Sequence, residues 1–254
     1  MSAKIYIPST LFTLFLVAGF STTACRAQTI PLGTTLPVRL EQTLNSDKGQ
    51  PGKVVTVKLT QAVPLDHARR IRKGAVVIGH IVAAGPREEA KTRAQLILRF
   101  DTLRFSHQDV PVVVTLRAMA GYVQVEESAL PTSNEESIPW TTVQIGGDIV
   151  YRGGGEVTTS SGEIVGKPVP DGVLASLLAP RTEISSANLH CGPDSSPHAL
   201  GPFGSRACGL YGLPHLRIAR DGFAEPRGEI TIISSVQPLK IASGAELLLQ
   251  VVAP

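Results

Sequence analysis

From residue 30 onwards, apolar side chains recur at every second position in one run after another, the period of strands that bury one face. Leu36, Val38 and Leu40 fall on one side, with Arg39 and Glu41 on the other. Val55, Val57 and Leu59 alternate with Thr56, Lys58 and Thr60. Further on, Val110, Val112, Val114 and Leu116 make one set, Ile230 and Ile232 a second, and Leu247, Leu249 and Val251 a third. Residues 76–82 lack polar alternation, which predicts a central strand covered on both faces. The expected core is Val57, Leu59, Val76, Ile78, Leu96, Leu98, Phe100, Val112, Val114 and Leu249.

One sequence form opens three of these runs: IPLGTTLPVRL at 30–40, IRKGAVVIGHIV at 71–82 and IASGAELLLQV at 241–251. Each reads as a turn on Gly33, Gly74 or Gly244 feeding a strand, because glycine can take the positive φ that such a turn uses. Two copies lie near the ends of the chain, so the first and last strands are expected to meet in one β-system. An apolar last strand left as an open edge would invite aggregation, and closure removes that edge. After Leu96, Leu98 and Phe100 the apolar phase slips to Leu103 and Phe105, which predicts a β-bulge at Asp101-Thr102. Residues 86–92 read as a charged loop and 128–137 as a polar one. A single helix is predicted over 171–178, with Asp171 as N-cap, Val173, Leu174, Leu177 and Leu178 on its apolar face, and Pro180 as its stop.

The fold class that follows is all-β, a barrel or sandwich closed by its first and last strands, with a loop-rich insertion and one short helix. Its 24 Gly and 19 Pro punctuate the chain too often for long helices. Residues 28–118 and 229–254 are expected to form the β domain, and 119–228 a Gly/Pro-rich insertion. Residues 1–27 read as a signal peptide: Lys4, the apolar run LFTLFLVAGF at 11–20, then small residues up to a cleavage after Ala27. The rival is a lipoprotein box ending at an acylated Cys25. Either way the chain is exported to the periplasm or cell envelope, and no later run is long enough to cross a membrane. Of 24 Lys+Arg against 21 Asp+Glu, Lys4 and Arg26 leave with the leader, so the balance becomes 22 against 21. That removes the charge argument for nucleic acid as a partner. The basic run Arg69, Arg70, Arg72, Lys73 reads as a solvated turn before a strand.

Cys191 and Cys208 remain after the leader is removed, and an even pair in an exported chain is expected to form a disulfide. The competing reading is zinc held by Cys191, His198, Cys208 and His215, with His190 in reserve. The ligand spacing is wider than that of zinc fingers or ribbons, so no metal is assigned. Gly153-Gly154-Gly155 has no following helix or P-loop lysine to cradle phosphate, and no other cofactor is implied. His80 lies in the most apolar strand and reads as a structural histidine. Asp101, Ser106, His107 and Asp109 are too close in sequence for a triad drawn from distant segments. Trp140, Tyr122, Tyr151 and Tyr211 either line a sugar or peptide surface or fill the core. No catalytic residue is assigned, and a non-enzymatic role is expected.

Gly33-Thr34-Thr35-Leu36…Leu40, then Ser46-Asp47…Pro51-Gly52…Val57, then Ile71-Arg72-Lys73-Gly74-Ala75…Gly79 resembles the opening of the TrbI-type conjugation proteins. Arg93…Phe100-Asp101…Leu103 and Leu239…Ile241…Gly244…Leu249 continue the likeness, which covers about 120 residues. It implies a periplasmic β-barrel of the kind that forms the outer-membrane core of type IV secretion channels. This chain shows no inner-membrane helix, proline-rich spacer or long amphipathic helix pair, so the barrel transfers and the channel role does not. The insert from Gly146 to Gly228, including ACGLYGLPHLRIARDG at 207–222, also resembles a group of exported acidobacterial proteins of unknown function. Three functions follow: an envelope scaffold or assembly protein with an envelope protein as partner, a glycan- or small-ligand-binding module whose site lies on 119–228, and an uncatalogued hydrolase.

Overall fold

The computed structural model describes residues 29–66, 68–87, 90–132, 140–181, 191–218 and 228–253. The leader, His190 and residues 133–137 of the loop expected at 128–137 lie outside them. The first half of the chain forms β1 (Thr35–Leu40), β2 (Leu44–Asn45), β3 (Val54–Leu59), β4 (Val63–Pro64), β5 (Arg70–Ile71), β6 (Val76–Arg87), β7 (Ala90–Phe105), β8 (Gln108–Pro111) and β9 (Val113–Ala120). A helix, α1 (Tyr122–Ser128), precedes β10 (Thr141–Val143), β11 (Ile149–Tyr151), β12 (Val157–Thr158), β13 (Ile164–Val169), β14 (Gly172–Leu177) and β15 (Asp194–Ala199). The chain returns through β16 (Gly209–Tyr211) and β17 (Leu216–Ile218) to β18 (Glu229–Ser234), β19 (Lys240–Ile241) and β20 (Glu246–Ala253).

The fold is all-β with one short helix. Its main sheet runs β16-β9-β20-β1-β3-β6-β7-β18-β17, with β8 on β7, and is a nearly closed barrel. The two ends do meet: β1 lies antiparallel against β20, from Thr35 opposite Gln250 to Arg39 opposite Glu246. Residues 119–228 are not wholly separate from this sheet, since β16 joins β9 in parallel and β17 joins β18. A second sheet, β10-β11-β12-β13-β14-β15, lies within that segment.

The glycine turns are one device used repeatedly. Gly33, Gly74 and Gly244 have φ of 80°, 85° and 86°, the value a type II turn asks of its third residue. In each, the residue after glycine bonds back three positions, as in Ala75 N to Arg72 O at 3.2 Å. The glycine N–H donates sideways to the neighbouring strand: Gly33 to Val251 O, Gly74 to Leu59 O and Gly244 to Leu40 O. A fourth copy, Gln50-Pro51-Gly52-Lys53, launches β3 with Gly52 at φ 82° and donating to Ile81 O. It lacks the leading apolar residue, so the sequence form does not reveal it.

The expected bulge is present. Ile78 pairs with Thr102 and Gly79 with Phe100, leaving Asp101 as the extra residue. A Cβ at Gly79 would collide with Arg99 O, so the strand facing the bulge accepts only glycine there. Val57, Leu59, Leu96, Leu98, Phe100, Val112, Val114 and Leu249 line the barrel core as expected. Val76 and Ile78 do not. They are half-buried and alternate with fully buried Val77, Gly79 and Ile81, so β6 covers one face only. The strands covered on both faces are β1, β9 and β20, where Thr35 to Val38, Leu116 to Ala120 and Glu246 to Leu249 are all buried. The inserted sheet lies over them, and its core (Val150, Val157, Val173, Ala175, Leu177, Phe203) closes on Ala118, Ala120 and Leu248.

Two local expectations fail. Residues 86–92 are not one loop, because β6 reaches Arg87 and β7 resumes at Ala90. The helix expected over 171–178 is the strand β14, hairpinned to β13 through Pro170-Asp171 with Val169 opposite Gly172. Pro-Asp-Gly is turn chemistry, and Asp171 takes φ 67°. The face that matters is Val173, Ala175 and Leu177, buried at period two. The helix stands instead at Tyr122–Ser128, where Val125 is its buried residue and the Tyr122 ring covers Gly244.

Ile81→Ala, in the barrel core, is expected to destabilise by about 2–5 kcal/mol in urea unfolding, and half-buried Ile78→Ala by clearly less. Equal losses would contradict the one-faced assignment of β6.

Candidate functional site

The inserted sheet is fixed to the barrel by buried polar side chains. Ala118 pairs with Leu248 and Leu116 with Leu249, so Arg117 is the extra residue of a second bulge, a geometry that re-aims a side chain. Its guanidinium, completely buried, donates to the carbonyls of Ala207 (3.1 Å), Gly192 (3.2 Å) and Leu178 (3.3 Å). Burial pulls its pKa down to about 10, which leaves it a cation at neutral pH. Gly192 and Ala207 flank the cysteines: Cys191 and Cys208 are joined, with sulfurs 2.14 Å and Cα atoms 5.9 Å apart. The bond is consistent with an oxidising location. Gln61 supplies a further clasp, donating to Val173 O (2.8 Å) while its Oε1 accepts from Gly201 N (2.6 Å) and Val173 N (3.2 Å). A Cβ at Gly172 would collide with Gln61. Within the insertion, buried Asp148 accepts from both the backbone N–H and the hydroxyl of Ser205, and burial nonetheless pushes its carboxyl pKa up.

Between barrel and inserted sheet lies a cleft of about 900 Å³. Its barrel side carries a row of charges across three strands, Lys58 opposite Arg39 and Arg39 opposite Glu246. Arg39 donates to Glu246 Oε1 through Nε (3.0 Å) and Nη2 (2.7 Å), and Thr60 Oγ1 lies 3.4 Å from Oε2. Burial raises the Glu246 pKa against the opposing pull of Arg39. Lys58 pairs with Glu41 at 2.5 Å, and Lys73 reaches Asp171 of the inserted hairpin at 2.6 Å. The facing wall is the β10–β11 hairpin, whose Thr142, Gln144, Val150 and Arg152 all line the cleft. Arg152 has no ion pair among the described residues. Gln144 Nε2 is held between Phe203 O (3.0 Å) and Gly201 O (3.3 Å), which fixes its amide, and its buried Oε1 has no donor there.

Elsewhere, chemically suggestive residues are engaged in structure. His80 Nδ1 faces Asp101 at 3.2 Å, across the bulge. Ser106 and His107 have positive φ and form the two-residue turn between β7 and β8, while Asp109 pairs with Arg104. Asp194, Ser196 and His198, all on β15, come together, although the sequence singled out only His198, and that as a zinc ligand. Both Asp194 Oδ2 (3.1 Å) and Ser196 Oγ (3.4 Å) approach the same ring nitrogen, Nε2. A hydrolytic triad needs them on opposite nitrogens. His215 is exposed and remote from this cluster's bonding, and the cysteines are committed to each other. Among the described residues no group of three His, Cys, Asp or Glu could hold a metal, and no helix is long and apolar enough to cross a membrane. Tyr151 and Tyr211 are half-buried, Tyr211 accepting from Cys208 N at 3.0 Å. Trp140 and Tyr122 are exposed. In the basic run, Arg69 pairs with Asp66 and Lys73 with Asp171.

The sequence matches no protein-family model, and no curated protein or solved structure is significantly similar to it. The cleft is therefore read from its own chemistry. Arg39 and Lys58 stand out in the sequence only as polar positions of alternating strands. Glu246 carries a faint signal, a carboxylate opening an otherwise apolar strand. Gln61, Arg117 and Gln144 carry none, because their partners lie far away in the chain, and Arg152 carries none because only the fold turns it towards the cleft.

Gln61→Ala should lower stability by at least about 2 kcal/mol, since Val173 and Gly201 lose buried partners; a smaller change in urea unfolding would rule out the clasp. Serine at both Cys191 and Cys208 should cost about 3 kcal/mol for a loop of this length, read the same way. His198, facing Asp194, Ser196 and Arg117, has its pKa lowered chiefly by burial. Below its ordinary value of 6.5, the unfolded chain takes up a proton that the folded one resists, so its contribution to stability declines on acidification. The loss between about pH 7 and pH 5.5 should be smaller in His198→Gln, measured by denaturant midpoint.

Proposed function

We propose that the protein is an exported, non-enzymatic envelope protein that binds a small ligand or glycan in the cleft between its barrel and its inserted sheet. The observation that carries this reading is the cleft itself: about 900 Å³ in volume, walled by both sheets and lined by charges already fixed in pairs. Pre-paired side chains present donors and acceptors in set positions, so little ordering is left to oppose binding. Export is supported by the apolar leader and by the bonded cysteines. A scaffold or assembly role on a TrbI-like barrel is the second reading, favoured by the nearly closed main sheet with its first and last strands paired.

A thermal-shift screen of small glycans and anions tests the first reading. Ligands that raise the melting temperature of the natural protein should fail to do so in Lys58→Trp, which puts bulk into the cleft from an exposed strand position. If no ligand distinguishes the two proteins and affinity purification from the envelope returns a stable protein complex, the scaffold reading takes its place.

A further inference from the structure

The hairpin wall of the cleft has a direction. Arg152 N donates to Trp140 O at 2.7 Å, one step beyond the pairing of Thr141 with Tyr151. At the inner end Gln144 N donates to Asp148 O at 2.8 Å. Alternation therefore puts Trp140, Thr142 and Gln144 of one strand on the same face as Arg152 and Val150 of the other. Thr142, Gln144, Val150 and Arg152 line the cleft, and Trp140, 67% exposed, stands at the outer end of the same face. The wall thus runs from an aromatic ring beside a guanidinium, past a threonine, to a fixed amide with an unmet acceptor. Four residues of strand separate Trp140 from Gln144, a span of about 13 Å.

Among the described residues, the charges of the cleft are unbalanced at one point. Four cations (Arg39, Lys58, Lys73, Arg152) and three carboxylates (Glu41, Asp171, Glu246) line it. Three pairs are made, and among the described residues Arg152 is left over. A guanidinium takes a carboxylate or sulfate through two parallel N–H donors. A flat ring beside it offers a broad apolar face, suited to the C–H face of a pyranose. The remaining lining mixes hydrogen-bonding groups such as Thr60, Thr142 and Gln144 with apolar ones such as Leu59, Val150 and Val169, a mixture matched to a sugar, which presents both hydroxyls and C–H faces.

Building on the cleft reading above, we infer that the ligand is an acidic saccharide of about two rings, with one ring on Trp140, its carboxylate or sulfate on Arg152, and a hydroxyl directed to the inner, Gln144 end. The span of the wall and the one cation left over among the described residues both fit one acidic group on a disaccharide-sized ligand.

Calorimetric titration of the full exported chain with cellobiouronate (one carboxylate on two rings), with cellobiose as the uncharged probe and with triglutamate as an acidic peptide, tests this. Cellobiouronate should bind at least tenfold more tightly than either of the others. Trp140→Ala and Arg152→Gln should each weaken it at least tenfold, and Arg152→Lys should recover only part of the loss. Both side chains are exposed at the cleft, so circular dichroism and melting temperature should not change. Equal binding of cellobiose, indifferent to Arg152→Gln, would overturn the acidic assignment while leaving the cleft as a ligand site. Tighter binding of triglutamate, indifferent to Trp140→Ala, would make the site one for acidic peptide. If none of the three binds but another ligand is lost in Lys58→Trp, the saccharide inference fails alone; if nothing responds to Lys58→Trp, both fail.

Discussion

A cation with no access to water organises the relation between the two sheets. Taking the guanidinium of Arg117 out of solvent is costly unless every donor direction is met. Three of its contacts are main-chain carbonyls from separate parts of the insertion, at Leu178, Gly192 and Ala207. Carbonyls cannot swing like side chains, so meeting them fixes the course of the chain at all three places. The disulfide helps to hold two of them, since Gly192 and Ala207 adjoin the bonded cysteines. The bulge at Arg117 is the condition for all of this, because a regular strand would not redirect the residue between Leu116 and Ala118.

The position of the cleft follows from the same anchorage. Arg117, Gln61 and Thr35, which donates to Ala199 O at 2.7 Å, clamp the inserted sheet over the apolar parts of β1, β9 and β20. Beyond that patch the barrel surface is charged, with Arg39, Lys58 and Glu246 in a row. Two sheets that are tightly joined along one stripe and polar beyond it leave a wedge between them, lined by whatever the outward positions carry. Glu246 is the most buried of these charges, which is why its carboxyl is pushed upwards despite its arginine partner.

Barrel strands were legible because one face of each is dry and the other wet. The period-two rule places Leu36, Val57, Leu98 and Val114 without knowledge of any partner, and the phase slip at Asp101 marks a bulge in the same way. The rule misleads where a second layer covers the outer face. Residues 76–82 look doubly buried in composition, yet the covered strands are β1, β9 and β20, the last with Leu248 in the outer core. Residues 171–178 mislead for another reason: Leu174 and Leu178 complete a helical pattern, whereas small Ala175 is the buried member of the strand. The disulfide followed from compartment and parity alone. The cleft did not, because its chemistry depends on pairs such as Lys73 with Asp171, joined across 98 positions of sequence, and alternation within a strand carries no record of them.

Pairing of β1 with β20 also has a consequence in time. The first strand of the barrel finds one of its two neighbours only in β20, with Gly33 N donating to Val251 O. Until β20 has been synthesised, β1 has an unfilled edge and the barrel core has an open side. Contacts of such sequence separation make folding slow. A barrel that cannot close before β20 arrives keeps its early strands open while all the strands between are made, so the topology itself delays folding until β20 is in place.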